Sequence, residues 1–207
     1  STLAPHSFWL DSSELAAASF SLGIPHPPGH PLYLFLGKLF SFIPIGGVGL
    51  KLSLASAFCG ILSAYFLAQI LHIIGGRTLE GWSNMSHALI LAITGLFGLS
   101  SAMWLQSVRP EVYTLQTALH LGTFWLLLEA SNDSRRSDSR EKCFLSACFL
   151  LALGGLNHHY LALFTFPAGL FVFSRLESRT RLFGKSVCCT LVPLAAYAFI
   201  AIRAGQN

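Results

Sequence analysis

Apolar residues fall in long blocks along this chain, separated by short polar breaks, and the block lengths predict its elements. Segment 50–74 has one charge, Lys51, at its start, and segment 85–105 has none. Segment 111–129 is bracketed by acids around His120, and segment 187–202 is uncharged and ends at Arg203. A helix crosses a bilayer core with about 20 apolar residues, so each of these four blocks predicts a transmembrane helix. The run 143–174 holds no Asp, Glu, Lys or Arg over 32 residues. As one helix it would be roughly 48 Å long against a ~30 Å core. Gly154-Gly155-Leu156-Asn157-His158-His159 lies at its middle and favours a break, giving two helices. Segments 15–22 and 32–44 are too short to span and read as helices lying at the membrane interface.

Charge supports the same helix count. Arg135, Arg136, Arg140 and Lys142 fill one polar loop, and Arg175, Arg179, Arg181 and Lys185 fill another. Basic loops collect on the cytoplasmic side. A single helix over 143–174 would separate these two loops, whereas a pair puts both, together with Arg77, in the cytoplasm. Nine of the thirteen basic residues then lie in three cytoplasmic loops. Segments 1–31, 106–110, 155–159 and 203–207 fall on the opposite, non-cytoplasmic face.

Composition agrees. The 207 residues are 53% hydrophobic and 11% charged, with a mean hydropathy of +0.60, against about 25% charged in soluble domains. The expected fold class is all-α: a polytopic helical membrane protein, with residues 1–49 forming a non-cytoplasmic loop of interfacial helices and 50–207 a bundle of about six helices. The five cysteines lie in apolar stretches without metal-site or disulfide spacing. The chain starts at Ser1 and ends just after an apolar run, so a longer parent is expected.

Candidate chemistry gathers on the non-cytoplasmic face. Asp11-Ser12-Ser13-Glu14 opens a helical Ala run and has the spacing of a capping box, with Asp11 taking a backbone N–H and Glu14 reaching back. An ionised carboxylate at a helix start also suits a general base. His26-Pro27-Pro28-Gly29-His30-Pro31 is stiff. Its prolines exclude a helix that would put His26 and His30 on one face, so a rigid wall or structural turn is expected before a metal pair. Arg109-Pro110-Glu111 opens a spanning helix, where charge is costly unless paired or functional. Asn157-His158-His159 offers donors and titratable rings, and Arg203 suits a phosphate or a helix end. A transporter or flippase would carry ionisable groups at mid-helix, where His120 is the plain case; a non-catalytic scaffold would need these polar groups only as caps and anchors.

Two strings carry a resemblance: Asp11-Ser12-Ser13-Glu14-Leu15-Ala16-Ala17-Ala18, and Leu22-Gly23-Ile24-Pro25-His26-Pro27-Pro28-Gly29-His30-Pro31-Leu32-Tyr33. With Arg109-Pro110-Glu111-Val112-Tyr113-Thr114-Leu115, Asn157-His158-His159, and Ile202-Arg203-Ala204 with Asn207, they resemble the N-terminal membrane part of the transmembrane protein 260-like family. These are polytopic GT-C-type glycosyltransferases, whose pattern includes an apolar helix before residue 1 and a further C-terminal part. The resemblance implies a GT-C-like module that moves a sugar, mannose in the characterised case, from a polyprenyl- or dolichyl-phosphate carrier to an acceptor protein's hydroxyl outside the cytoplasm. It assigns the catalytic base to Asp11, with Glu14 assisting. It implies substrate binding by His26, His30, Tyr33, Arg109, Glu111, Asn157, His158, His159 and Arg203. The scheme calls for no cofactor beyond the lipid-linked sugar as co-substrate, no metal and no nucleic acid. A bacterial inner membrane, preferred here, and an endoplasmic-reticulum membrane both satisfy the topology, with the site periplasmic or lumenal.

Overall fold

The structure, a computed structural model, describes residue 3 and residues 11–78, 84–177 and 179–205. Asn207 lies outside the described residues. Among the described residues every regular element is helical. Helices α1 (Ser12–Ser21) and α2 (Pro31–Ser41) precede α3 (Val48–Thr78), α4 (Asn84–Leu99), α5 (Ser101–Ser107) and α6 (Val112–Ala130). After these come α7 (Ser137–Ala162), a 3-10 turn (Leu163–Thr165), α8 (Phe166–Ser174), α9 (Arg179–Leu194) and α10 (Tyr197–Ala204). Among the described residues three stretches are long and apolar enough to cross a membrane: Val48–Gly76, Ser137–Ser174 and Arg179–Ala204. The fold is that of an all-α membrane protein.

Two of the expected spans carry features that apolarity alone does not show. Segment 85–105 is broken: α4 and α5 meet at a 63° bend. Ser100 leaves the helical conformation there (φ −58°, ψ 142°), and its hydroxyl accepts the Met103 N–H. An N-cap serine starts a new helix more readily than it continues an old one. The bent pair counts as a fourth span if its halves are taken together. The other case is α6, which is less apolar than these three stretches yet runs from Val112 in one core cluster to Ala130 in another. Gln116 and His120 interrupt it, and it packs between α3 and α7. There Gly122 lets the helices close, since a Cβ on it would sit 3.1 Å from both Leu150 and Phe66.

Length and apolarity alone pass Ser137–Ser174 as one span, yet it is folded back on itself. The rings of Phe144 and Phe173 lie 5.8 Å apart, where a straight helix would separate them by roughly 44 Å. The kink falls at His158 (φ −154°, ψ 90°), inside the expected break. Leu127, Ala130, Phe144, Ala147, Val172, Leu176 and Leu182 then share one core cluster. This cluster brings both arginine-rich loops to one end of the bundle. There Arg135 pairs with Glu129, Arg140 with Asp133, and Arg181 with Glu141.

The opposite end is built on a second cluster, Leu15, Ala16, Tyr33, Leu52 and Val112, which fastens α1, α2, α3 and α6 together. The short helices are closed by local chemistry. Leu22 takes the left-handed conformation (φ 52°), and its N–H caps the Ala18 carbonyl. Pro31 starts α2, where its missing N–H has no helical partner to lose. Gly37 allows α2 to touch α1, because a Cβ there would fall 2.7 Å from the Ser19 Cβ. Lys38 donates to the Phe20 carbonyl, with its ammonium over the rings of Phe20 and Phe42. That is the arrangement of a lysine snorkelling from an interfacial helix.

Candidate functional site

A cleft of about 50 Å³ opens at this second end, lined by Asp11, Leu15, His26, Pro27, Pro28, His30, Glu111, Val112, Tyr113 and His158. Three regions far apart in sequence meet in it: the start of α1 with the proline-rich turn, the start of α6, and the α7 kink.

The expected capping box is not formed. Asp11 stands at the N-cap position of α1, where its backbone carbonyl accepts the first helical bond, from Leu15 N–H, but its side chain makes no capping bond. Glu14 turns toward His26. Its two oxygens accept the His26 backbone N–H at 2.6 Å and the ring Nδ1–H at 2.8 Å. The physical reason is competition: a charged acceptor gains more from two donors on a stiff turn than from one N–H at its own helix start. The bond from the His26 ring is the main reason the Glu14 carboxyl lies below its ordinary range. Asp11 is thereby left at the mouth, with one oxygen 3.9 Å from His26 Nε2. Ligand atoms of Asp11, Glu14 and His26 all lie within 4.8 Å of one another, a spacing that suits a cation.

Glu111 is the buried acid of the cleft, 2% exposed. The Ser12 hydroxyl donates to it at 3.3 Å and Arg109 Nε lies 3.6 Å away. Its backbone N–H bonds to Ser56 on α3 at 3.2 Å. Burial pushes its carboxyl up, and the Arg109 guanidinium opposes that.

His30, 2% exposed and in the left-handed region (φ 44°), bonds through Nδ1 to the carbonyl of Asn157. Asn157 is fully buried, and its amide donates to the Val112 carbonyl at 3.0 Å and to Gln116 Oε1 at 2.9 Å. These bonds pin the α7 kink to the first turn of α6. The ring of His158 then stands 5.8 Å from that of His30 and 6.2 Å from that of Tyr113.

Not every residue expected at the site reaches the cleft. Tyr33 is a core side chain under α1, 1% exposed. Arg109 is turned to Glu111 and Gln106. His159 packs on Tyr160 with centroids 3.9 Å apart. Arg203 donates to the Leu22 carbonyl at 2.9 Å, latching α10 over the end of α1. Sequence reasoning missed Ser12, Ser56, Val112, Tyr113 and Gln116 as parts of the site. Gln116 left a signal as a polar side chain inside an apolar helix, and Ser12, Val112 and Tyr113 lie in the strings that carry the resemblance.

An all-helical membrane bundle with carboxylates and imidazoles gathered in one cleft, at the end remote from its arginine clusters, defines a polytopic membrane protein with a polar site at one face. Residues 11–181 match the family model described as the Protein O-mannosyl-transferase TMEM260 N-terminal domain, and the chain belongs to that family. It is 28% identical over 155 residues to "Protein O-mannosyl-transferase TMEM260" of Mus musculus, covering 74% of this chain and 21% of that protein. It is 26% identical over 213 aligned residues to "Protein O-mannosyl-transferase tmem260" of Dictyostelium discoideum, covering 95% of this chain and 25% of that protein. The chain thus spans about a quarter of the length of these curated relatives or less. No solved structure matches it.

Proposed function

We infer that this chain is the site-bearing part of a GT-C-type membrane glycosyltransferase. It transfers mannose from a polyprenyl-phosphate carrier to a protein Ser or Thr hydroxyl on the non-cytoplasmic face. Family membership and the relatives' names support the transferase class. The observation that carries the chemistry is the freedom of Asp11: it lies at the cleft mouth, not tied up in helix capping, with Glu14 bonded to His26 behind it.

In this reading the Asp11 carboxylate takes the proton of the acceptor hydroxyl. The hydroxyl oxygen forms a bond to the sugar's anomeric carbon, the bond from that carbon to the phosphate oxygen breaks, and the lipid phosphate leaves with the electron pair. One displacement inverts the anomeric configuration, by analogy with inverting glycosidases. Glu14 positions His26, and Glu111 with Ser12 shapes the inner wall. Meeting the phosphate requires Arg109 to leave Glu111 or Arg203 to leave the Leu22 carbonyl, since neither lines the cleft. The two arginine-rich loops face the cytoplasm by the positive-inside rule, which puts the cleft on the periplasmic or lumenal side.

The test is transfer of label from polyprenyl-phosphate mannose to protein by the full-length protein in membranes. Asp11→Asn is expected to abolish transfer, with a loss on the order of 10²–10⁴-fold, at unchanged expression. Full activity of this variant would remove Asp11 as the base.

A further inference from the structure

His30 is more than a wall of the cleft. A backbone carbonyl can only accept a hydrogen bond, so the contact with the Asn157 carbonyl requires His30 Nδ1 to carry a proton. That carbonyl is itself held still, because the Asn157 amide is bonded to Val112 and Gln116. The other ring nitrogen, Nε2, has no hydrogen-bond partner among the described residues, although the side chain is 2% exposed and lines the cleft. Burial also pushes the ring below the ordinary imidazole range; the carbonyl of Asn157 opposes this, and His26 and His158 reinforce it. A neutral imidazole with a proton on Nδ1 has a lone pair on Nε2 and no second N–H.

We propose that His30 is a specificity-determining residue: locked by Asn157 in the Nδ1–H form, it presents Nε2 as a fixed hydrogen-bond acceptor for a substrate hydroxyl in the cleft. This rests on the sugar-transfer reading, in which hydroxyls occur on the carrier-bound sugar and on the acceptor side chain. Asp11, at the exposed mouth, removes a proton. His30, at the buried wall, selects and orients the group without taking one. A site built to bond a hydroxyl discriminates against ligands lacking it, because such a ligand covers the Nε2 acceptor and leaves it unpaired.

The left-handed backbone at His30 supplies a clean variant. Asparagine tolerates that conformation, and its amide N–H can replace Nδ1–H toward the Asn157 carbonyl while offering nothing at the Nε2 position. In the full-length protein, His30→Asn is expected to keep the wild-type melting temperature. It should raise KM roughly five- to tenfold, the worth of one hydrogen bond, with little change in kcat. A rise confined to polyprenyl-phosphate mannose assigns the hydroxyl to the sugar; a rise confined to the acceptor peptide assigns it to Ser or Thr. His30→Gln, whose amide oxygen reaches toward the Nε2 position without the Nδ1 bond, is expected to recover KM but to melt lower.

Three results would overturn the proposal. One is wild-type kinetics in His30→Asn. Another is the two variants losing stability and turnover in parallel, which would make the ring a structural peg. The third is a ¹⁵N-histidine spectrum showing the His30 proton on Nε2. Absence of any mannose transfer by the wild type would instead sink the parent reading, while the tautomer measurement would still judge this one.

Discussion

Replacing Asn157 with alanine tests the architecture of the site most directly. The side chain is 0% exposed and ties two helices together, with its amide donating to the Val112 carbonyl at 3.0 Å and to Gln116 Oε1 at 2.9 Å. Removing it strands Gln116 Oε1 and takes from the Val112 carbonyl its partner outside the helix, leaving only the helical Gln116 N–H. In water-soluble cores each stranded group costs about 1–3 kcal/mol. Between membrane helices the measured worth of such a bond averages nearer ~0.6 kcal/mol, because the dispersed helices also find partners. Among the described residues the Asn157 Oδ1 makes no bond, so its loss adds nothing, and the total lies at roughly 1–3 kcal/mol. Asn157→Asp should cost more than alanine: it keeps the shape but faces two acceptors with a third, and it leaves a buried charge unpaired. The assay is equilibrium unfolding of the detergent-solubilised protein, with Gln116→Ala and the double variant closing a cycle. A coupling energy of about 0.5–1.5 kcal/mol is expected for the Asn157–Gln116 pair. If Asn157→Ala lies within ~0.5 kcal/mol of wild type, or the cycle closes at zero, the kink is not held to α6 by these bonds.

Further outcomes follow from other parts of the fold. Glu14 has a carboxyl below its ordinary value of 4.5 because the His26 ring bonds to it. The unfolded chain therefore binds more protons over that window, and the stabilisation is full above the ordinary value and lost as pH falls through the folded one. Glu14→Gln should flatten this acid limb in a melting-temperature series; an unchanged limb would refute the pairing. Gly37→Val drives a side chain onto Ser19, 2.7 Å from its Cβ. It is expected to cost about 1–3 kcal/mol by overpacking and to expose α1 to limited proteolysis. Cysteines placed at Ser13 and Ser137 should react with an impermeant thiol reagent from opposite faces of sealed vesicles; labelling of both from one face would overturn the helix count.

Much of this protein was legible as a pattern of apolarity and charge. Uninterrupted apolar runs need lipid or protein around them, and two arginine-rich loops cannot easily lie on opposite faces. Those two constraints sufficed for an all-helical membrane bundle and for folding 143–174 into a hairpin, which the Phe144–Phe173 contact bears out. The proline-rich string and the Asp-x-x-Glu pair marked the family by residue identity alone.

Other decisions belong to the tertiary structure, because they depend on partners remote in sequence. Whether Asp11 and Glu14 cap a helix, or one lines a cleft while the other bonds to the turn, depends on His26, which the turn at 26–29 brings back over α1. Tyr33 looked like a site residue, yet packing against Leu15, Leu52 and Val112 made it core. Glu111 became a wall of the site through Ser12, 99 residues away, and His30 acquired its single tautomer from a carbonyl 127 residues away. Local sequence encodes which groups can bond and how the nearby backbone turns. Which group each one finally meets is decided when distant helices pack, since burial makes every unpaired donor or acceptor costly and leaves few pairings that satisfy them all.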